Sequence, residues 1–129
     1  MTSAAAGAAA VLVVEDEKLI AQYLDDELRL AGFRSFATVD TVEAALDALA
    51  RARPDLAILD RKLCNQDTGQ VADALKAQGV PFLFISGVGP EALPPRHRNA
   101  RCITKPFEWQ TVLGALHELL DEEPRRATT

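Results

Sequence analysis

Short apolar runs alternate along the chain with longer stretches in which apolar residues recur every three to four positions. The runs are mostly continuous and rich in β-branched or aromatic residues, which is typical of strands buried on both faces of a parallel sheet. The pattern therefore predicts a strand at each run. These strands span residues 10–14, 33–39, 56–59, 81–86 and 100–104.

Helical periodicity fills the intervals between most of these runs. Capping and stop signals bound the helices: Thr41 can cap the second, Pro54 ends it, and Gly32 and Gly79 close the first and third. The predicted helices span residues 17–31, 41–52, 69–79 and 108–123. Strands that alternate with crossover helices imply an α/β fold with a doubly wound, five-stranded parallel sheet.

One interval departs from this alternation. The stretch "GPEALPPRHR" at 89–98 stands where a fourth crossover helix is expected, and it contains Pro90, Pro94 and Pro95. Pro94 and Pro95 forbid a continuing helix, because each lacks an N–H and clashes with the preceding turn. A short turn or an irregular loop is therefore predicted in place of a full helix.

Composition narrows the class of protein. The 129 residues are 48% hydrophobic and 26% charged, as in an average globular domain, and the net charge of −5 argues against a non-specific nucleic-acid binder. The longest apolar run is too short to span a membrane. Cys64 and Cys102 lack metal-ligand spacing and predict reduced thiols in a cytoplasmic protein. We expect a disordered Ala-rich tail at 1–9, one domain at 10–123 and a polar tail at 124–129.

Polar residues stand where the predicted strands end. Glu15 and Asp16 follow the first strand, Asp60 follows the third, Ser86 ends the fourth, and Lys105 follows the fifth. Ligands of such sheets bind beyond the carboxyl ends of the strands. These side chains are therefore expected to meet at one edge of the sheet, although they are far apart in sequence.

The residue types at this edge suit phosphate chemistry. Crowded carboxylates raise one another's pKa unless a cation shares the site, and hard oxygen ligands suit Mg²⁺. Ser86 and Lys105 could then bind phosphoryl oxygens. An aspartate in this setting can act as a nucleophile and form an acyl phosphate.

In this order, the residues resemble the receiver domain of bacterial response regulators, from about residue 10 to residue 122. The matching positions are the acidic pair Glu15–Asp16, Asp60, Ser86 and the "KPF" of 105–107. The resemblance implies a flavodoxin-like fold and a single-domain response regulator of a two-component or phosphorelay system. A finer, partial resemblance links "PFLFISGV" at 81–88 to a subgroup whose sequence reads PFxFATGY.

The resemblance also implies a role for each position. Asp60 would accept the phosphoryl group, Asp16 would bind Mg²⁺ directly, and Glu15 would bind it mostly through water. The carbonyl of Lys62 would be a backbone ligand of the metal. Ser86 and Lys105 would hold the phosphate, and the Lys105–Pro106 peptide would be cis.

A histidine kinase or a histidine phosphotransfer protein would be the donor. By family analogy it would dock on the exposed start of the first helix, at Glu17, Ile20 and Tyr23, and on Pro106–Phe107. The signal would leave through a downstream protein that the sequence does not identify, or the chain would act as a phosphate sink. The chain would be a phosphoacceptor that takes part in its own phosphorylation, not an enzyme that acts on other substrates.

Several positions depart from the family pattern. Cys102 and Val88 occupy sites where receivers often carry aromatic residues that report phosphorylation. The loop "RKLCNQDTG" has Cys64 in place of a common proline and reaches its glycine one position late. These departures leave a phosphorylation-independent binding or scaffold module as an alternative. A Mg²⁺-dependent phosphatase is disfavoured, because Lys62 stands where a second catalytic acid would be expected.

Plainer interpretations apply to other polar residues. Glu17 is expected to be a helix-start acid, which the helix dipole favours. His97 and His117 are expected to be too far apart to share a metal. Arg96, Arg98 and Arg101, with His97 among them, are expected to form a solvated basic cluster.

Overall fold

A computed structural model describes residues 9–63, 66–87, 95–97 and 100–128 of the chain. Seven strands and four α-helices are present in these residues. The strands are β1 (Ala10–Val14), β2 (Arg34–Val39), β3 (Leu56–Asp60), β4 (Lys62–Leu63), β5 (Gln66–Asp67), β6 (Phe82–Ser86) and β7 (Arg101–Thr104). The helices are α1 (Lys18–Leu30), α2 (Val42–Arg51), α3 (Gly69–Ala77) and α4 (Trp109–Thr128).

The five longer strands form one parallel sheet in the order β2-β1-β3-β6-β7. This order and the crossover helices confirm the predicted doubly wound α/β fold. β1 lies beside both β2 and β3, so the chain reverses direction across the sheet at β1. The carboxyl ends of β1 and β3 consequently lie next to each other, with Val14 opposite Leu59.

Two apolar layers cover the sheet because the side chains of each strand alternate between its faces. Leu12 and Leu59 belong to the core cluster that also contains residues of α2 and α3. Val13 and Ile58 belong to the other cluster, with residues of α1 and α4. The continuous apolar runs thus reflect burial on both faces, as predicted.

The local signals act mostly as the sequence predicts. The Thr41 hydroxyl accepts a hydrogen bond from the Ala44 N–H at 3.0 Å and caps α2. Gly32 and Gly79, which follow α1 and α3, have φ values of +95° and +72°. That left-handed region is costly for residues with a Cβ, so glycine is the natural residue at both helix ends.

Three features differ from the sequence-based expectation. The last helix runs to Thr128 rather than ending at 123, so the described part of the predicted polar tail is helical. Strands β4 and β5 form an antiparallel pair in the loop after Asp60, which the apolar pattern did not predict. Ala9, expected in the disordered tail, is buried, and its carbonyl accepts a hydrogen bond from the Arg34 N–H.

The proline-rich interval is described only in part. Residues 95–97 form one turn of 3₁₀ helix between β6 and β7. The rest of the predicted loop, residues 89–94 and 98, lies outside the described residues, as do residues 1–8 of the predicted tail. Among the described helices, none combines the length and the apolar character needed to cross a membrane.

Candidate functional site at the carboxyl edge of the sheet

Three carboxylates meet where β1 and β3 end. Glu15, Asp16 and Asp60 each offer an oxygen, and these oxygens lie within 4.8 Å of one another. The parallel pairing of β1 with β3 produces this meeting, because it sets the residues after Val14 beside the end of β3. The predicted convergence of these three residues is confirmed.

Burial disfavours the ionised form of these neighbouring carboxylates. Glu15 is 3% exposed and Asp60 is 8% exposed. The pKa of Glu15 is raised from 4.5 to about 7, chiefly by burial and also by the nearby Asp60 carboxylate, against the lowering effect of the Glu17 N–H and of Lys105. The Glu17 N–H donates to Glu15 Oε2 at 3.0 Å. Three hard oxygen donors in this arrangement fit a divalent cation such as Mg²⁺, whose charge would relieve the repulsion.

Lys105 supplies a positive charge to the same site. Its Nζ lies 3.2 Å from Asp60 Oδ2, 3.6 Å from Glu15 Oε1 and 3.8 Å from Glu17 Oε1. Burial alone would lower the pKa of Lys105, but the carboxylates of Asp60 and Glu15 outweigh it and hold that pKa above its usual value. The ammonium is therefore charged and stands directly beside the candidate acceptor.

Pairing of β6 with its neighbours brings Ser86 and Lys105 to this edge. Asp60 is opposite Ile85, so Ser86 lies one residue beyond Asp60 along the strand direction. Ser86 is 2% exposed, and its carbonyl accepts a hydrogen bond from the Lys105 N–H at 2.7 Å. The Lys105–Pro106 peptide is cis, as the resemblance implied.

Lys62 lies beside the acceptor through its backbone. Its N–H lies 3.4 Å from Asp60 Oδ1, which is long for a hydrogen bond, and its side chain is exposed at the start of β4. The role of the Lys62 carbonyl as a metal ligand stays a prediction.

The sequence does not predict a role for Thr68, whose side chain contacts the backbone of Asp60 rather than its carboxylate. Thr68 is fully buried, and its hydroxyl donates to the carbonyl of Asp60 at 2.8 Å. A threonine directly before a helix suggests an N-cap, yet this side chain makes no cap hydrogen bond. Its loop position alone gave no sign of burial.

His97 also differs from its expected place. The sequence predicts it in a solvated basic cluster, but it is 1% exposed and lies against the rings of Phe82 and Phe84. Its Nε2 is 3.0 Å from Asp73 Oδ1. Arg96 binds both oxygens of the same carboxylate, at 3.1 and 3.2 Å, and its hydrogen bond holds the pKa of Asp73 below its usual value.

Of the other two arginines in the predicted basic cluster, the structure describes only Arg101. Arg101 pairs with Glu118 on α4, and Arg98 lies outside the described residues. Cys102 packs, partly buried, against the core cluster on the α2 and α3 side, as expected of a packed thiol. Cys64 and Val88 lie outside the described residues.

The surface predicted to receive a donor carries exposed apolar side chains as well as the exposed acid Glu17. Tyr23 is 42% exposed, and its ring centroid lies 6.3 Å from that of Phe107. Leu19, which is not among the predicted docking residues, is 87% exposed on the same helix. Ile20, predicted to be exposed, instead packs partly buried against the core cluster. Leu19 and Tyr23, four residues apart on α1, thus form an exposed apolar surface, and the partly buried Phe107 lies beside Tyr23.

A doubly wound sheet of this order, with an acidic cluster, a serine and a lysine at its carboxyl edge, defines a receiver-like domain. Comparison with known families agrees: residues 11–117 match the model of the response regulator receiver domain. The chain belongs to this family.

Solved structures and curated proteins support the same assignment. The solution structure of SdrG from Sphingomonas melonis Fr1 is 37% identical, with a TM-score of 0.77 over 88% of this chain and 98% of that chain. The BeF3-activated conformation of SdrG from Pseudomonas melonis Fr1 is 38% identical, with a TM-score of 0.73 over 86% and 95% of the two chains. The response regulator protein FleR of Pseudomonas aeruginosa is 34% identical over 82% of this chain.

The chain is shorter than several curated relatives that it matches. It spans 23% of FleR and about half of two mycobacterial regulatory proteins, for which the covered shares are 49% and 54%. The likeness therefore concerns only a part of each of those proteins.

Proposed function

We propose that this receiver domain accepts a phosphoryl group on Asp60 from a phosphohistidine, in the presence of Mg²⁺. The donor would be a histidine kinase or a histidine phosphotransfer protein in the cytoplasm. The domain would signal by binding a downstream protein or act as a phosphate sink in a phosphorelay. The observation that carries this proposal is the position of Asp60, nearly buried between the acidic pair and the ammonium of Lys105.

The chemistry follows from the groups around the Asp60 carboxylate. One carboxylate oxygen attacks the phosphorus, the P–N bond of the phosphohistidine breaks, and the histidine nitrogen leaves with the electron pair and is protonated. An acyl phosphate on Asp60 results. Lys105, already beside Asp60, would pair with the transferred oxygens, and the Ser86 hydroxyl would donate to them.

The metal would be held by Asp16, Asp60 and the Lys62 carbonyl, with Glu15 acting mostly through water. Bound Mg²⁺ supplies the positive charge that offsets the repulsion between the carboxylates and the incoming phosphoryl oxygens. Glu15 supports this assignment because burial and the nearby Asp60 carboxylate raise its pKa, and a bound divalent cation would offset both effects.

The exposed apolar surface supports a protein donor. Leu19 and Tyr23 are exposed on α1, and the ring of Tyr23 lies beside that of Phe107, two residues after Lys105. An apolar surface beside the acceptor suits the docking of a helical donor that must bring its histidine to Asp60. We therefore propose a phosphoacceptor that takes part in its own phosphorylation, rather than an enzyme with separate substrates.

Intact-mass analysis tests the acceptor directly. After incubation with phosphoramidate or acetyl phosphate and Mg²⁺, the wild type should gain one phosphoryl group, and Asp60→Asn should gain none. Asp47→Asn is the matched control, since Asp47 is an exposed aspartate of α2 that pairs with Arg51. An unlabelled wild type, under conditions that label another receiver domain, would contradict the proposal.

A binding module that does not use phosphorylation as a switch is the second candidate. Cys102, on β7, stands where receivers often carry an aromatic residue, and it packs against the core. Amide exchange with and without beryllofluoride and Mg²⁺ separates the two candidates. A phosphorylation switch should change the protection of residues 87–100, whereas a constitutive module should change it only around Asp60.

A further inference from the structure

Thr68 lies between β5 and α3, and its side chain is directed toward the acceptor strand. It is 0% exposed. Its Oγ1 lies 2.8 Å from the carbonyl oxygen of Asp60 and 3.1 Å from that of Arg61. A hydroxyl has one proton to donate, so the two carbonyls share it, with the shorter contact at Asp60.

The neighbouring residue Asp67 makes the capping hydrogen bond that a threonine at this position usually makes. A threonine directly before a helix usually accepts a hydrogen bond from an N–H of the first turn. Here Asp67 does so, since its Oδ1 accepts from the Gly69 N–H at 2.6 Å. The Thr68 hydroxyl is thereby released from capping and used on the backbone of Asp60.

The contacts of Thr68 fix the short path from Asp60 to Lys62. Its hydroxyl holds the carbonyls of Asp60 and Arg61, and its own N–H donates to the Arg61 carbonyl at 3.0 Å. On the other side, the Arg61 N–H donates to the Ile85 carbonyl at 2.9 Å. The peptide units next to the acceptor are therefore held from two directions.

We propose that Thr68 is a positioning residue of the phosphoryl-acceptor site. Its buried hydroxyl sets the backbone from Asp60 to Lys62, and so aligns the Asp60 carboxylate and the Lys62 carbonyl for a divalent cation and a phosphoryl donor. This inference rests on the proposed function, because it concerns the same site. Thr68 would touch neither the metal nor the phosphoryl group.

Two substitutions separate the hydroxyl from the shape of the side chain. Thr68→Val keeps the shape and removes the donor, leaving the buried Asp60 carbonyl without its partner. We expect Thr68→Val to weaken both the Mg²⁺ affinity and the initial rate of phosphorylation by acetyl phosphate about three- to tenfold. Thr68→Ser keeps the donor and should stay within about twofold of the wild type. Amide chemical shifts would measure the Mg²⁺ affinity, and intact mass would measure the rate.

Thr41→Val is the matched control, because it also removes a threonine–backbone hydrogen bond, to the Ala44 N–H at the start of α2. It should lower stability without changing Mg²⁺ affinity. Wild-type values in Thr68→Val, or equal losses in Thr68→Ser and Thr68→Val, would overturn the positioning role. If Thr68→Val does not fold, Thr68→Ala compared with Thr68→Ser gives the same test.

The two proposals can fail separately. If the wild type gains no phosphoryl group, the proposed function fails, and the Mg²⁺ affinities of the variants still decide whether Thr68 positions the site. If the wild type is phosphorylated and Thr68→Val matches it in rate and affinity, only the positioning role fails.

Discussion

Two segments that leave the carboxyl edge of the sheet are attached to the domain in contrasting ways. The loop after β3 is held by the Thr68 hydroxyl, a neutral group that is fully buried and bonded to backbone. The turn at 95–97 after β6 is held by His97 and Arg96, which meet the half-exposed carboxylate of Asp73. A buried neutral hydrogen bond is insensitive to salt, whereas an exposed ion pair is screened by it.

Both attachments converge on α3. Thr68 directly precedes this helix, and Asp73 lies in its second turn. Lys76, further along α3, adds a contact at 3.3 Å from its Nζ to the Arg96 carbonyl. The acceptor loop is thus held by a neutral buried contact, and the turn is held by the charged contact with Asp73 together with the buried ring of His97, with α3 connecting the two.

The largest effect on stability is expected at His97. Replacing this buried ring, which packs against Phe82 and Phe84, with alanine leaves a cavity, and we expect His97→Ala to lower the free energy of unfolding by about 2–4 kcal/mol. His97→Phe keeps an aromatic ring and removes only the contact with Asp73, so its cost should be below about 1.5 kcal/mol. Urea denaturation measures both. Equal, small losses would show that the turn is held by charge alone.

A smaller effect is expected at Asp73. Because its side chain is 48% exposed, the loss in Asp73→Asn should be below about 1 kcal/mol and should shrink in high salt. Asp47→Asn, which breaks a pair within α2, is the control for an exposed aspartate. A larger loss that resists salt would mean that the carboxylate acts as a buried anchor, like Thr68.

The contact between Arg96 and Asp73 also predicts how the free energy of unfolding changes with pH. The hydrogen bond from Arg96 lowers the pKa of Asp73 below 3.8, so the folded state binds fewer protons there than the unfolded state does. The contribution of Asp73 to the free energy of unfolding should therefore be complete above pH 3.8 and be lost as the pH falls through the lowered pKa. The difference in unfolding free energy between wild type and Asp73→Asn, measured across that range, checks the sign. A difference that grows on acidification would contradict it.

Much of the candidate site could be predicted because it depends on strand order. Glu15, Asp16, Asp60, Ser86 and Lys105 each follow or end an apolar run, and parallel pairing brings those ends together. Thr68 could not be predicted, since "TG" before a helix is also the ordinary pattern of an N-cap. Strands β4 and β5 have two residues each, too few for a hydrophobic period.

The sequence by itself therefore determined the sheet, its crossover helices and the edge at which the acceptor lies, because periodicity and strand ends are local properties of the chain. Only the tertiary structure decided the burial of Glu15 and His97, the raised pKa of Glu15 and the turn of the Thr68 hydroxyl toward Asp60. These depend on how loops return to the core and on which partners they meet there. Such contacts join residues from separate segments, and no local pattern encodes them.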